Sequence, residues 1–143
     1  MNEIGGYEFE ELRVGMSATY AKTITEADIV LFAAVSGDNN AIHTNEEFAA
    51  ATIFKGRIAH GMLSAAYISA VIGTRLPGPG AIYLSQSLRF RRPVKIGDPV
   101  TAIVTVKALD PAKGHATLET VCQVNGKTVV DGEAVIMVPR RGV

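Results

Sequence analysis

Cysteine is almost missing from this chain, with Cys122 alone among 143 residues. An internal disulfide is therefore excluded. A single thiol inside an alternating strand pattern reads as a packed side chain in a reducing compartment, not as a nucleophile. Net charge is missing too: lysine plus arginine number 14 and aspartate plus glutamate number 14. No global field then steers the chain onto nucleic acid or an acidic membrane, and any anionic ligand has to be held by a local patch. The first residues, Met1-Asn2-Glu3-Ile4-Gly5-Gly6, have neither the basic nor the apolar region of a secretory signal. One long stretch, Ile58 to Thr74, carries no formal charge. It approaches the length of a membrane span, yet His60, Gly61, Ser64, Ser69 and Gly73 interrupt it and no second such stretch exists. A buried helix is the better reading, and the expected location is the cytoplasm.

What is present is ordinary for one globular domain: 48% apolar and 20% charged residues. No repeat, linker or low-complexity segment divides residues 1–143, and the length suits a single core. Met16, Ala18, Tyr20 and Ile24 alternate, predicting a first strand over about Ser17 to Ile24. Thr25 and Asp28 stand in capping-box positions, followed by an apolar helical stripe of Ala27, Val30, Leu31, Ala34 and Val35 that ends at Ser36-Gly37. Asn45 to Ala50 reads as a short capped helix.

After the uncharged stretch, Pro77-Gly78-Pro79-Gly80 breaks the helix and the period changes from 3.6 to 2. Ile82, Leu84, Leu88 and Phe90 fall on one face of a strand, with Tyr83, Ser85, Ser87, Arg89 and Arg91 on the other. Strands over Val100–Leu109, around Ala116–Val124 and over Thr128–Val138 follow, the last two joined by the hairpin signal Asn125-Gly126. An apolar helix followed by strands that must each hide one face predicts an α+β domain, with an antiparallel sheet wrapped around the helix.

The informative segment is Asp38-Asn39-Asn40-Ala41-Ile42-His43, which packs two titratable groups and two amides directly behind a helix end. Turn formation alone would explain Asp38 and Asn39, with His43 at the surface. A second segment, Ile58-Ala59-His60-Gly61-Met62, places Gly61 where the uncharged helix begins. Backbone N–H groups at a helix start are unpaired and partially positive, so they suit a developing oxyanion, and glycine lets a ligand carbonyl approach. Close packing explains a glycine equally well. His60 reads either as a ligand contact or as a satisfied, partly buried histidine.

Taken in order, Ser36-Gly37-Asp38-Asn39-Asn40-Ala41-Ile42-His43 and Ile58-Ala59-His60-Gly61-Met62-Leu63 resemble the MaoC-like, (R)-specific enoyl-CoA hydratases. The motif of that family runs aspartate, a variable residue, Asn-Pro, an aliphatic residue and histidine, with His-Gly-Met downstream. The resemblance continues from Leu76 through Phe90 and into Pro93-Val94 and Gly97-Asp98, spanning roughly Val14 to Pro139. One departure is Ala41, where the family usually has proline. Proline would stiffen the segment, so alanine implies a looser loop with the reacting residues retained.

The resemblance implies a hot-dog fold, a homodimer and reversible hydration of a trans-2-enoyl-CoA to the (R)-3-hydroxyacyl-CoA. It implies Asp38 as the base that draws a proton from water, with His43 orienting that water and helping to deliver a proton to C2. The Gly61 N–H would stabilise the thioester enolate. Asn40, His60 and Ser69 join Gly61 as substrate-binding candidates, Asn40 fixing the loop or the water. Ser69 matches a family position lining the active site, though a small helix-packing serine is an equal reading. No metal and no redox cofactor are needed, coenzyme A being part of the substrate. Arg89, Arg91, Arg92 and Lys95 crowd one strand end, where they would meet nucleotide phosphates or simply form a solvated face. Two rivals share the fold: a hot-dog thioesterase acting on the same acyl-CoA substrates, and a non-catalytic acyl-CoA-binding subunit of a heteromeric dehydratase.

Overall fold

Caps and turn residues set most element boundaries in the computed structural model, which describes residues 1–142. Strand β1 runs Ser17–Thr23. The Thr25 hydroxyl then accepts from the Asp28 N–H at 3.1 Å while the Asp28 carboxylate accepts from the Thr25 N–H at 2.9 Å. This reciprocal pair starts helix α1, Glu26–Ser36, and Gly37 closes it in the left-handed region at φ 78°. Two short helices follow, α2 (Ala41–Thr44) and α3 (Glu46–Ala50), before the long helix α4 (Gly61–Thr74). The remaining strands are β2 (Ile82–Gln86), β3 (Arg89–Phe90), β4 (Pro99–Asp110), β5 (His115–Val124) and β6 (Lys127–Met137). Asn125 and Gly126 both take positive φ, 50° and 80°, as the β5–β6 hairpin requires.

All pairings are antiparallel, in the order β1-β4-β5-β6-β2, with β3 also on β6. The sheet curls over α4, which packs against β1, β4, β5 and β6. Ile68, Val71 and Ile72 of the helix share one core with Val104, Leu118 and Ile136 of the strands. This is the α+β arrangement the pattern predicts. Cys122 lies in that core, its thiol directed at the Ser64 carbonyl oxygen at 3.4 Å and pushed up by burial to a pKa of about 12. It is a packed side chain. Among the described residues, no helix is long and apolar enough to cross a membrane.

Three expectations need correction. First, the α1 stripe of Val30, Leu31 and Val35 faces outward, at 52%, 63% and 86% exposure, while Ile29 and Ala33 face the core. Helix α1 is apolar nearly all round, so two stripes fit the helical period and only packing chooses between them. Second, residues 82–91 are not one strand. The ladder to β6 shifts register between Tyr83 and Ser85 and breaks between β2 and β3, leaving Ile82, Leu84 and Phe90 exposed while Leu88 packs on the core. Third, α4 is not covered all round: Met62, Ala66, Ser69 and Gly73 form an exposed line along it. One sheet curling over a helix reaches only part of its circumference. Phe9 and Leu12, ahead of β1, are buried in the same core.

The break between β2 and β3 depends on Gly132 of β6. A Cβ there would lie 1.8 Å from the Ser87 carbonyl oxygen, so the chain crosses at a distance that only glycine permits. Gly132→Ala is expected to lower stability by about 1–3 kcal/mol, the usual cost of overpacking. A shift of the denaturation midpoint at constant slope is the measurement.

Candidate active site

The segment Asp38–His43 is more ordered than a loop. Asn40 caps α2, its side-chain oxygen accepting from the Ile42 N–H at 3.1 Å, and Ala41 is the first helical residue. Proline is favoured at that position because its φ suits a helix start; here the Asn40 cap holds the turn without it. Asn40 is thus a loop-fixing residue, exposed and outside the cavity wall. The single turn of α2 carries His43 inward to 8% exposure, while Asp38 stays exposed.

Two backbone carbonyls set the two imidazoles. His43 Nδ1 lies 2.7 Å from the Ile58 carbonyl oxygen. A carbonyl can only accept, so Nδ1 carries the hydrogen and Nε2 of the neutral ring presents a lone pair. His60 Nε2 lies 2.9 Å from the Asp38 carbonyl oxygen, which by the same argument places the His60 hydrogen on Nε2. The rings stack, with centroids 3.9 Å apart and planes 28° from parallel, and Phe32 lies against His60 at 5.0 Å. Ligand atoms of Asp38, His43 and His60 all fall within 4.8 Å of one another.

These groups open on a cavity of about 410 Å³, walled by Asp38, His43, His60, Gly61 and Ser64 together with apolar Phe54, Ile58, Met62, Val94 and Val130. Gly61 is the first residue of α4, and no side chain caps that helix. The Leu63 N–H donates to the His60 carbonyl at 3.0 Å, so Gly61 and Met62, both on the cavity wall, carry the free N–H groups at the positive end of the helix dipole. The glycine has a packing reason as well: a Cβ would lie 2.5 Å from the Phe90 ring.

The structure thus brings together Asp38, His43, His60 and Gly61. It leaves Ser69 apart, on the exposed line of α4 and outside the cavity wall; the serine that does line the cavity is Ser64, one turn closer to Gly61. Of the basic cluster, exposed Arg91 and Arg92 are on the cavity wall, Arg91 also pairing with Asp131 at 3.1 Å. Lys95 donates to the Phe54 carbonyl at 2.7 Å, and Arg89 is exposed on β3 away from the cavity wall.

Arg57 was not singled out by sequence. Its two terminal nitrogens donate to both Glu26 carboxylate oxygens at 2.7 and 3.0 Å, its Nε to the His43 carbonyl at 2.6 Å, and its own backbone N–H to Glu46 at 3.2 Å. One residue so ties α1 and α2 through its side chain, and α3 through its backbone N–H, behind the site. Its position as the last charge before the uncharged stretch was the available signal.

A sheet curled round one helix, with a carboxylate and an imidazole over an apolar cavity at the helix start, defines a hot-dog-fold enzyme. The MaoC-like domain family matches residues 11–132, and the chain belongs to that family. It is 61% identical to the (R)-specific enoyl-CoA hydratase of Rhodospirillum rubrum over 94% of this chain and 93% of that one. It is 51% identical to the 3-hydroxybutyryl-CoA dehydratase of Methylorubrum extorquens over 93% and 85% respectively. Among solved structures it resembles unliganded R-hydratase PhaJ1 from Pseudomonas aeruginosa, with a TM-score of 0.90 and 52% identity over 95% of this chain and 88% of that one.

Arg57→Ala should raise amide exchange in residues 41–44 by about tenfold, the equivalent of one lost hydrogen bond, while β4–β6 amides stay protected. Arg57→Lys should not restore protection, because an ammonium lacks the fork that spans Glu26 and His43. Hydrogen-exchange mass spectrometry or NMR reads both.

Proposed function

We propose that this chain is an (R)-specific enoyl-CoA hydratase, adding water reversibly to a trans-2-enoyl-CoA to give the (R)-3-hydroxyacyl-CoA. The observation that carries the reading is the pairing of two hydrogen-bond acceptors at one cavity, the Asp38 carboxylate and His43 Nε2, beside the start of α4. Two acceptors suit one water, which donates a hydrogen to each and leaves its oxygen lone pair for C3. The relatives above support the same reaction, since they are named for this hydration or its reverse.

As water oxygen bonds to C3, the C2–C3 π electrons move toward the thioester and its oxygen gains enolate character. The Gly61 N–H and the helix dipole stabilise that oxygen. Asp38 takes the water proton as general base, and the enolate is then protonated at C2 from the same pair. His43 can pass on only a proton it has first received, because its own hydrogen is held by the Ile58 carbonyl. Water adds as H and OH with nothing left over, so the side chains need no metal or redox cofactor.

Arg91 and Arg92 on the cavity wall are the residues to meet the phosphates of coenzyme A. The working unit is a homodimer, in which a second copy covers the apolar outer stripe of α1 and the open line of α4. The lone buried thiol fits a cytoplasmic location.

Asp38→Asn and His43→Ala should each lower the hydration rate of crotonyl-CoA by about two to four orders of magnitude, followed by loss of enoyl absorbance with chiral analysis of the product. Near wild-type rates in both variants would falsify the assignment. Rapid release of free thiol from a saturated acyl-CoA would instead indicate the thioesterase.

A further inference from the structure

Among the described residues, three buried side-chain atoms have no hydrogen-bond partner: His60 Nδ1, Ser64 Oγ and Tyr67 Oη. The first two residues line the same cavity as Asp38 and His43 and sit one helical turn apart at the head of α4. Each is 1% exposed. An orphaned buried polar atom costs about 1–3 kcal/mol, so two such atoms at one cavity call for a shared occupant. The His60 tautomer says which kind. With Nε2 donating to the Asp38 carbonyl, Nδ1 offers a lone pair and needs a donor. The Ser64 hydroxyl can donate or accept; both atoms are closed to solvent as they stand, and a water admitted between them by a small shift of either side chain has the polar partners that buried waters require.

We propose that His60 is a positioning residue for Asp38: its Nε2–H holds the Asp38 backbone carbonyl, and Ser64, through one buried water, supplies the hydrogen bond that Nδ1 lacks. The inference rests on Asp38 being the residue that activates water. Asp38 is otherwise tethered only locally, its N–H to Ser36 Oγ at 3.1 Å and its carboxylate to the Asn40 N–H at 3.3 Å. The His60 ring is held in place by two rings packed against it, Phe32 and stacked His43. The chain Ser64–water–His60–Asp38 therefore connects the rigid head of α4 to an exposed carboxylate at the end of α1. A misplacement of about 1 Å at a reacting group costs on the order of a hundredfold in rate. His60, which the sequence leaves between a ligand contact and a satisfied, partly buried histidine, acts through Asp38.

The test joins spectroscopy to kinetics on the intact protein. Long-range ¹⁵N–¹H correlation spectra of the wild type should show His60 with its hydrogen on Nε2. With crotonyl-CoA, His60→Ala should lower kcat by about a hundredfold while KM stays within about threefold. His60→Gln places an amide N–H near the Nε2 position and should recover about tenfold of that loss. Alanine at a fully buried position can unfold the chain, so Ser64→Ala, which removes one oxygen, carries the second arm. It should lower kcat about three- to tenfold, the scale of one hydrogen bond, and Ser64→Thr should restore it. An Nδ1–H tautomer in the wild type overturns the proposal. So does a raised KM at unchanged kcat in His60→Ala, which would mean direct substrate contact, or wild-type kcat in Ser64→Ala. Failure of the hydratase reading looks different: the wild type would not hydrate crotonyl-CoA, while the His60 spectrum would still report its tautomer.

Discussion

Helix α4 carries no formal charge from Gly61 to Thr74, so most of its surface has to leave water, and the curled sheet is what takes it out. That requirement also buries the helix head. A helix start normally presents its free N–H groups to solvent or to a capping side chain; this one is uncapped and faces a largely apolar cavity. The covering that makes the core therefore makes the electrophilic half of the site, with no further residues devoted to it.

The other half is fixed by main-chain oxygens. Ile58 and Asp38 each present a carbonyl to one imidazole, and a carbonyl can only accept. Each ring is thereby left with its lone pair on the opposite nitrogen, His43 with Nε2 and His60 with Nδ1. Two histidines in contact thus have distinct chemistry, set by the main-chain oxygen that each one meets. Arg57 holds the His43 carbonyl from behind, so the backbone that carries one ring is itself anchored through Glu26 to α1. The site is rigid because its supports are core helix, main chain and one forked cation, while Asp38 stays exposed to meet substrate and water.

Much of this was legible before any coordinates. The capping pair Thr25–Asp28, the left-handed Gly37, the Asn125-Gly126 turn and the strand alternation from Val100 onward depend on contacts within a few residues, and each formed as read. The nearness of Asp38 and His43 is equally local. Orientation was not legible where a pattern admits two answers. Helix α1 could bury Val30 and Leu31 or Ile29 and Ala33, and the position of Ser69 on α4 depended on how far round the helix the sheet reaches. The strand over 82–91 broke because Gly132, far away in sequence, lets the Ser87 carbonyl come close.

Sequence by itself determined the inventory: an uncharged helix needing cover, strands with one face to hide, and a carboxylate and an imidazole close behind a helix end. Those follow from composition, period and short spacing, which act within a few residues. Only the tertiary structure decided which nitrogen of each histidine carries its hydrogen, that Ser64 and not Ser69 lines the cavity, and that Arg57 stands behind the site. Each of those rests on a partner 14 or more residues away, such as Ile58 for His43, Asp38 for His60 and Glu26 for Arg57. Hydrogen-bond direction and cavity walls exist only once distant segments meet, so no local pattern can encode them.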